Sequence, residues 1–248
     1  MNYNIRKHIS VLSKIIFAYF IFMECSFSEE RLSKQELDKI MYEYIMENPQ
    51  VILDSVDKLR KKMEEDSKLD EDYLKENFMQ FANNPNIPYM GSDTPKVIII
   101  EFFDYNCSYC KKSLDAVAEL LRTEYDLKIS FRDYPILSPS SRIAAKAALA
   151  AKKQGKYFSF HSALMSMQGN LNEDKIFTIA NNLEMDIEKL KIDMQKDEIE
   201  EIIEDNESLA RKLNIRGTPT FIINGKLYAG ALDLKKLRQI INNSLQDS

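Results

Sequence analysis

Cysteine is scarce, with three in 248 residues. That is too few for a small disulfide-framework protein or a four-cysteine zinc site. Glycine and proline are also sparse, at 6 and 7 residues. Such numbers exclude a collagen, a linker-rich array and a turn-dense β-sandwich. A basic excess is missing too. The formal net charge is −5, which leaves no broad electrostatic footprint for nucleic acid. The apolar run Ile15–Met23 has nine residues, well short of the ~20 a helix needs to span a bilayer. What remains is ordinary for a globular chain: 44% hydrophobic and 29% charged residues, enough to bury a core without staples.

That apolar run nevertheless has a context. Arg6, Lys7 and Lys14 precede most of it, and Ser26-Phe27-Ser28 follows with small residues at the −3 and −1 positions of a cut before Glu29. The pattern is that of a secretory signal peptide over residues 1–28. An uncleaved anchor is the competing reading, and Glu24 argues against a lipid anchor on Cys25. A cut after Ser28 removes Cys25 and leaves one closely spaced pair, Cys107 and Cys110, which suits an oxidising compartment. The expected location is therefore the periplasm or cell envelope.

Residues 29–84 read as a charged helical extension. Ser33 with Glu36 fits a capping box. Leu37, Ile40, Met41, Tyr44 and Ile45 follow at helical spacing, and Asn48-Pro49 starts a second helix. There Ile52, Val56, Leu59 and Met63 form an a/d seam among charged neighbours. A further helix is expected from Glu71 to Ala82, ended by Asn83-Asn84-Pro85. The seam reads either as a self-association surface or as a face docked on its own domain, and association is favoured because the segment lies outside the expected catalytic unit.

Residues 85–248 give an α/β pattern. A short edge strand near Ile87–Met90 precedes the apolar run Val97–Phe103, which suits a central strand buried on both faces. A helix from Cys107 to about Glu124 and a strand at Leu127–Tyr134 complete a β-α-β unit. Residues 138–197 hold helices and no convincing strand. Another helix leads to a hairpin at Thr220–Ala229 with Asn224-Gly225 at its turn, and Leu234–Leu245 closes as an amphipathic helix.

The chemistry centres on Cys107-Ser108-Tyr109-Cys110, placed where a buried strand gives way to a helix. Two intervening residues let one helical turn bring the sulfurs within bonding distance. Cys107 lies at the helix N-terminus, where unpaired N–H groups and the helix dipole favour an anion, so its thiol pKa should fall. Cys110, one turn in, is set to resolve a mixed disulfide. Half of a zinc knuckle has the same spacing, but the only histidines are His8 and His161 and no second cysteine pair exists. An inert structural disulfide would close only a two-residue loop and constrain the unfolded chain little. Glu101, six positions earlier in the strand, is expected to be buried with a raised pKa, or else to be a strand-end acid reaching solvent. Lys111 and Lys112 read as a solvated helix face, and His161 as a packing residue. Tyr105, Tyr109 and Tyr134 suit either an apolar peptide groove or the core. No metal or organic cofactor is called for.

Over 100 residues on lies Gly217-Thr218-Pro219-Thr220-Phe221. Together with Glu101–Lys111, this stretch resembles the thioredoxin superfamily, and within it the exported DsbA-like branch, over about residues 87–246. The resemblance implies a thioredoxin fold with an inserted helical domain and a cis peptide before Pro219, packed beside the cysteine pair. The backbone of Thr218 would then pair with an extended substrate segment. It also implies a proton-handling role for Glu101. The N-terminal extension resembles the stalk of ScsC-like proteins, which implies a homo-oligomer, a trimer in that type, whose facing sites favour disulfide isomerisation. One departure matters: strongly oxidising DsbA proteins carry a histidine between their cysteines, and Ser108-Tyr109 has none. The implied partners are exported cysteine-containing proteins and a membrane redox partner that resets the site. Competing functions are a monomeric dithiol oxidase and a non-catalytic envelope antigen on a thioredoxin scaffold.

Overall fold

The computed structural model describes residues 32–123 and 126–246. The expected signal segment 1–28, with Cys25, lies outside the described residues.

The chain divides into two compact units at Lys61/Lys62. The first holds helix α1 (Lys34–Glu47) and the start of α2 (Gln50–Ala82). The capping box forms as the sequence predicts: Ser33 Oγ accepts from Glu36 N, and the Glu36 carboxylate accepts from Ser33 N at 2.9 Å. No residue of α1 is buried. The expected break near residue 70 does not occur, and α2 is continuous. No glycine or proline interrupts it, so nothing in its composition forces an end before Asn83.

The second unit is built on a five-stranded sheet: β1 (Tyr89–Gly91), β2 (Val97–Phe103), β3 (Leu127–Asp133), β4 (Thr220–Ile223) and β5 (Lys226–Ala229). Their spatial order is β1-β3-β2-β4-β5. Only β2 and β3 run parallel, joined by α3 (Ser108–Thr123), while the other pairs are antiparallel. Every residue of the central strand β2 is buried. Its alternating side chains feed two cores. Val97, Ile99 and Phe103 face one, with Leu127, Ile129 and Phe131 of β3. Ile98, Ile100 and Phe102 face the other, where Leu74, Phe78 and Ala82 from the end of α2 also sit.

Between β3 and β4 come α4 (Pro139–Ala151), a short 3-10 turn, α5 (Tyr157–Ser166), α6 (Glu173–Asn182) and α7 (Ile187–Met194), then the long α8 (Asp197–Lys212). The buried alanines of α4 sit in the first core with Phe160, Leu164, Ile176 and Leu190, so the insertion shares the sheet's core. Helix α9 (Leu234–Gln246) buries Leu237, Ile240 and Ile241 in that core. Two turns need their glycines. At Gly91, with φ +105°, an added Cβ would stand 1.9 Å from the Leu127 carbonyl oxygen. The β4–β5 turn places Asn224 and Gly225 at φ 44° and 80°, the left-handed pair that an Asn-Gly hairpin uses.

Candidate active site

Strand β2 ends at Phe103, and the next four residues turn the chain into α3. Asp104 builds that turn. Its backbone carbonyl accepts from Cys107 N at 3.0 Å, and its carboxylate accepts from Asn106 N at 2.7 Å and Leu137 N at 2.9 Å. Cys107 thus stands directly before the first turn of α3, and Cys110 lies one turn in. Both are free thiols and both are buried.

The two sulfurs titrate in opposite directions. The Cys107 thiol is lowered to about 5, chiefly because the Cys110 thiol donates to its sulfur. Partial burial opposes this, while the backbone N–H groups of Cys110 and Tyr109 add to it. Burial pushes the Cys110 thiol far upward, and its hydrogen bond to Cys107 and the Glu101 charge act the same way. Glu101 is 4% exposed in the middle of β2, paired with Phe131 and Phe221 on its flanking strands. Burial raises its carboxyl to about 8, and the neighbouring Cys107 charge adds to the rise.

Across from the pair, the Cys107 thiol donates to the Thr218 carbonyl at 3.1 Å. The Thr218–Pro219 peptide is cis, as the resemblance implies. Pro219 also accepts from Gly230 N through its carbonyl. The geometry therefore brings Cys107, Cys110, Glu101, Thr218 and Pro219 into one centre. Tyr109 stands at its rim, 58% exposed, with Lys112 Nζ 5.2 Å from its ring centre.

Other expectations resolve differently. Tyr105 and Tyr134 are buried in the two cores, which leaves only Tyr109 of the three tyrosines open to a peptide. Lys111 is not simply a solvated charge, because its Nζ donates to the Met167 and Gly169 carbonyls of the insertion. His161 packs as expected, with Nδ1 3.0 Å from Tyr105 Oη. Burial lowers its pKa to about 3, which keeps it neutral. Asp133 was not singled out in the sequence. It is 1% exposed at the end of β3 with both carboxylate oxygens unpartnered, and burial holds its pKa well above the usual carboxylate range. Asn106 was also missed, hidden as an unremarkable polar residue beside a cysteine. Among the described residues, no helix is long and apolar enough to cross a membrane.

Residues 98–242 match the DSBA-like thioredoxin domain, and residues 34–65 match the N-terminal domain of the copper resistance protein ScsC. A thioredoxin-like oxidoreductase from Silicibacter pomeroyi is 37% identical, covering 67% of this chain and 96% of its own, with a TM-score of 0.65. The thiol-disulfide exchange protein alpha-DsbA2 from Wolbachia pipientis is 33% identical, covering 70% of this chain and 96% of its own, with a TM-score of 0.64. Among curated proteins, a Na(+)/H(+) antiporter NhaA 1 from Salinispora arenicola is 27% identical over 62% of this chain, but the match spans only 24% of the antiporter. The chain thus covers about a quarter of the length of the first curated relatives it matches. With the cysteine pair at the head of α3 and the Thr218–Pro219 loop against it, the chain belongs to the DsbA-like thioredoxin family of thiol–disulfide oxidoreductases.

Proposed function

We propose that this chain is an exported, periplasmic thiol–disulfide oxidoreductase that reshuffles disulfides in other exported proteins, working as an isomerase within an oligomer. The observation that carries the redox reading is the split between its two thiols: one lowered to about 5 at a helix N-terminus, the other pushed strongly upward by burial.

The Cys107 thiolate attacks one sulfur of a substrate disulfide. A mixed disulfide forms, and the second substrate sulfur leaves as a thiolate. In isomerisation, a substrate thiolate then displaces Cys107, which returns as thiolate with no net electron transfer. In reduction, Glu101 in its ionised form, the form that gains as pH rises toward about 8, takes the Cys110 proton as the Cys110 sulfur attacks the Cys107 sulfur. The Cys107–Cys110 bond forms and the substrate departs as a dithiol carrying two electrons. An external dithiol partner, expected at the membrane, restores the reduced pair by the reverse exchange. The Thr218 backbone and Pro219 present an edge for an extended substrate strand, and the exposed Tyr109 ring offers an apolar contact beside it.

Two observations support the oligomer. Residues 34–65 match the ScsC N-terminal domain, and the apolar side chains of that segment lie open, including Ile40, Met41, Ile52, Val56 and Leu59. An a/d seam left exposed is the surface a coiled-coil partner would cover. Insulin reduction tests the chemistry: Cys107→Ala should abolish it, and retained activity would refute the assigned nucleophile. Refolding of a scrambled-disulfide substrate tests the direction of flux. A protein that oxidises reduced substrates but cannot rescue scrambled ones would establish the dithiol-oxidase alternative instead.

A further inference from the structure

One side chain in the active-site turn has every polar atom committed. Asn106 precedes Cys107 directly. Its backbone N donates to the Asp104 carboxylate at 2.7 Å. Its side-chain Oδ1 accepts from Leu171 N at 2.7 Å, and Nδ2 lies 3.0 Å from the hydroxyls of Ser138, Ser140 and Ser141. The amide orientation follows from the partners. Leu171 N–H can only donate, so oxygen must face it, which turns the NH₂ toward the serines.

These partners belong to two separate parts of the insertion. The serines form the N-terminus of α4, where Ser138 is the cap, and Leu171 lies in the loop before α6. A single amide therefore joins the active-site turn to both ends of a helical hairpin. Lys111, five residues on, reaches the same loop through the Met167 and Gly169 carbonyls.

We propose that Asn106 is the positioning residue for Cys107, pinning the head of α3 to the inserted helices so that the unpaired N–H groups of its first turn stay presented to the Cys107 sulfur. Hydrogen bonds to a thiolate weaken steeply when misaligned. A turn released from its anchor would let those donors wander, and the thiolate would lose part of its stabilisation. The inference rests on the thiol–disulfide reading and adds the device that tunes it.

The test is a titration of thiolate absorbance near 240 nm on the reduced full chain, for wild type, Asn106→Ala, Ser140→Ala and Asn224→Ala. Asn224 accepts from Ile98 N at 2.8 Å at the far end of β2, so its loss destabilises the same sheet without touching the turn. A net hydrogen bond is worth about 1 kcal/mol and one pKa unit 1.36 kcal/mol. Asn106→Ala should therefore weaken Cys107 acidity roughly three- to tenfold. Ser140→Ala should weaken it by less, and Asn224→Ala should leave it unchanged while lowering the melting temperature. Should Asn106→Ala fail to fold, the Ser140→Ala shift decides. A wild-type midpoint well below 8 that none of the Asn106 or Ser140 variants moves would overturn the inference alone. A wild-type midpoint in the ordinary thiol range would overturn both the inference and the redox reading beneath it.

Discussion

Cys107 and Cys110 are three positions apart, yet a proton on one and a proton on the other obey different rules. The first sulfur meets donors at a helix head, whereas the second meets apolar walls and a carboxyl that is itself reluctant to ionise. The pH dependence of stability follows, with opposite signs for the two kinds of group. Cys107 is depressed from its ordinary range near 8.5 to about 5. Its contribution in the reduced protein is present above the unfolded value and is lost as pH falls through about 5. The oxidised protein lacks that term, so the reduced form should gain stability over the oxidised form as pH rises from about 5 to about 9, and paired denaturant melts will show it. Glu101 runs the other way, raised from about 4.3 in an unfolded chain to about 8. Its penalty is absent at low pH and develops across that window. Glu101→Gln should therefore grow more stable relative to wild type as pH rises from about 4 to about 8, then hold a constant lead. The same variant should slow resolution of the mixed disulfide, which stopped-flow trapping with a model substrate would measure.

Among the elements, legibility tracked periodicity. Strand β2 was readable because a seven-residue apolar run has one good fate, and the Asn224-Gly225 turn because few other dipeptides accept two left-handed residues. The insertion's helical character was legible because residues 138–197 offer no strand pattern. The unbroken α2 was not legible, since its middle is charged enough to look like a linker, and the reason its last turns matter lies in partners that the chain supplies later, from β2 to as far on as Ile222. Leu74 is 2% exposed, in the same core as Ile100 and Ile222 of the sheet. Leu74→Ala should cost about 2–5 kcal/mol by chemical denaturation. Leu37→Ala, on the exposed face of α1, should leave that unfolding transition in place and act on self-association alone. Asp104, Asn106 and Asp133 stayed hidden for a related reason: a polar residue beside a motif has no period, and its role comes from loops the chain brings back much later.

For the whole molecule, the oligomer is the property with most leverage on function. Light scattering on residues 29–248 should give a mass several times that of one chain, and a version beginning near Asp70 should give a monomer. A monomer in both cases would sink the stalk's proposed role. If the stalk assembles, its removal should reduce rescue of scrambled substrates while leaving insulin reduction in place, because the cysteine centre lies wholly within the second unit.

The bond from Leu171 N to Asn106 Oδ1 crosses 65 positions of sequence. Its consequence concerns portability. A four-residue cysteine motif grafted onto another thioredoxin scaffold would carry its sulfurs but not their calibration, because part of the setting is stored in a loop of the inserted helices. Designers who want this protein's redox temperament must transplant the amide and the hydroxyls that hold it, and the insertion that presents them.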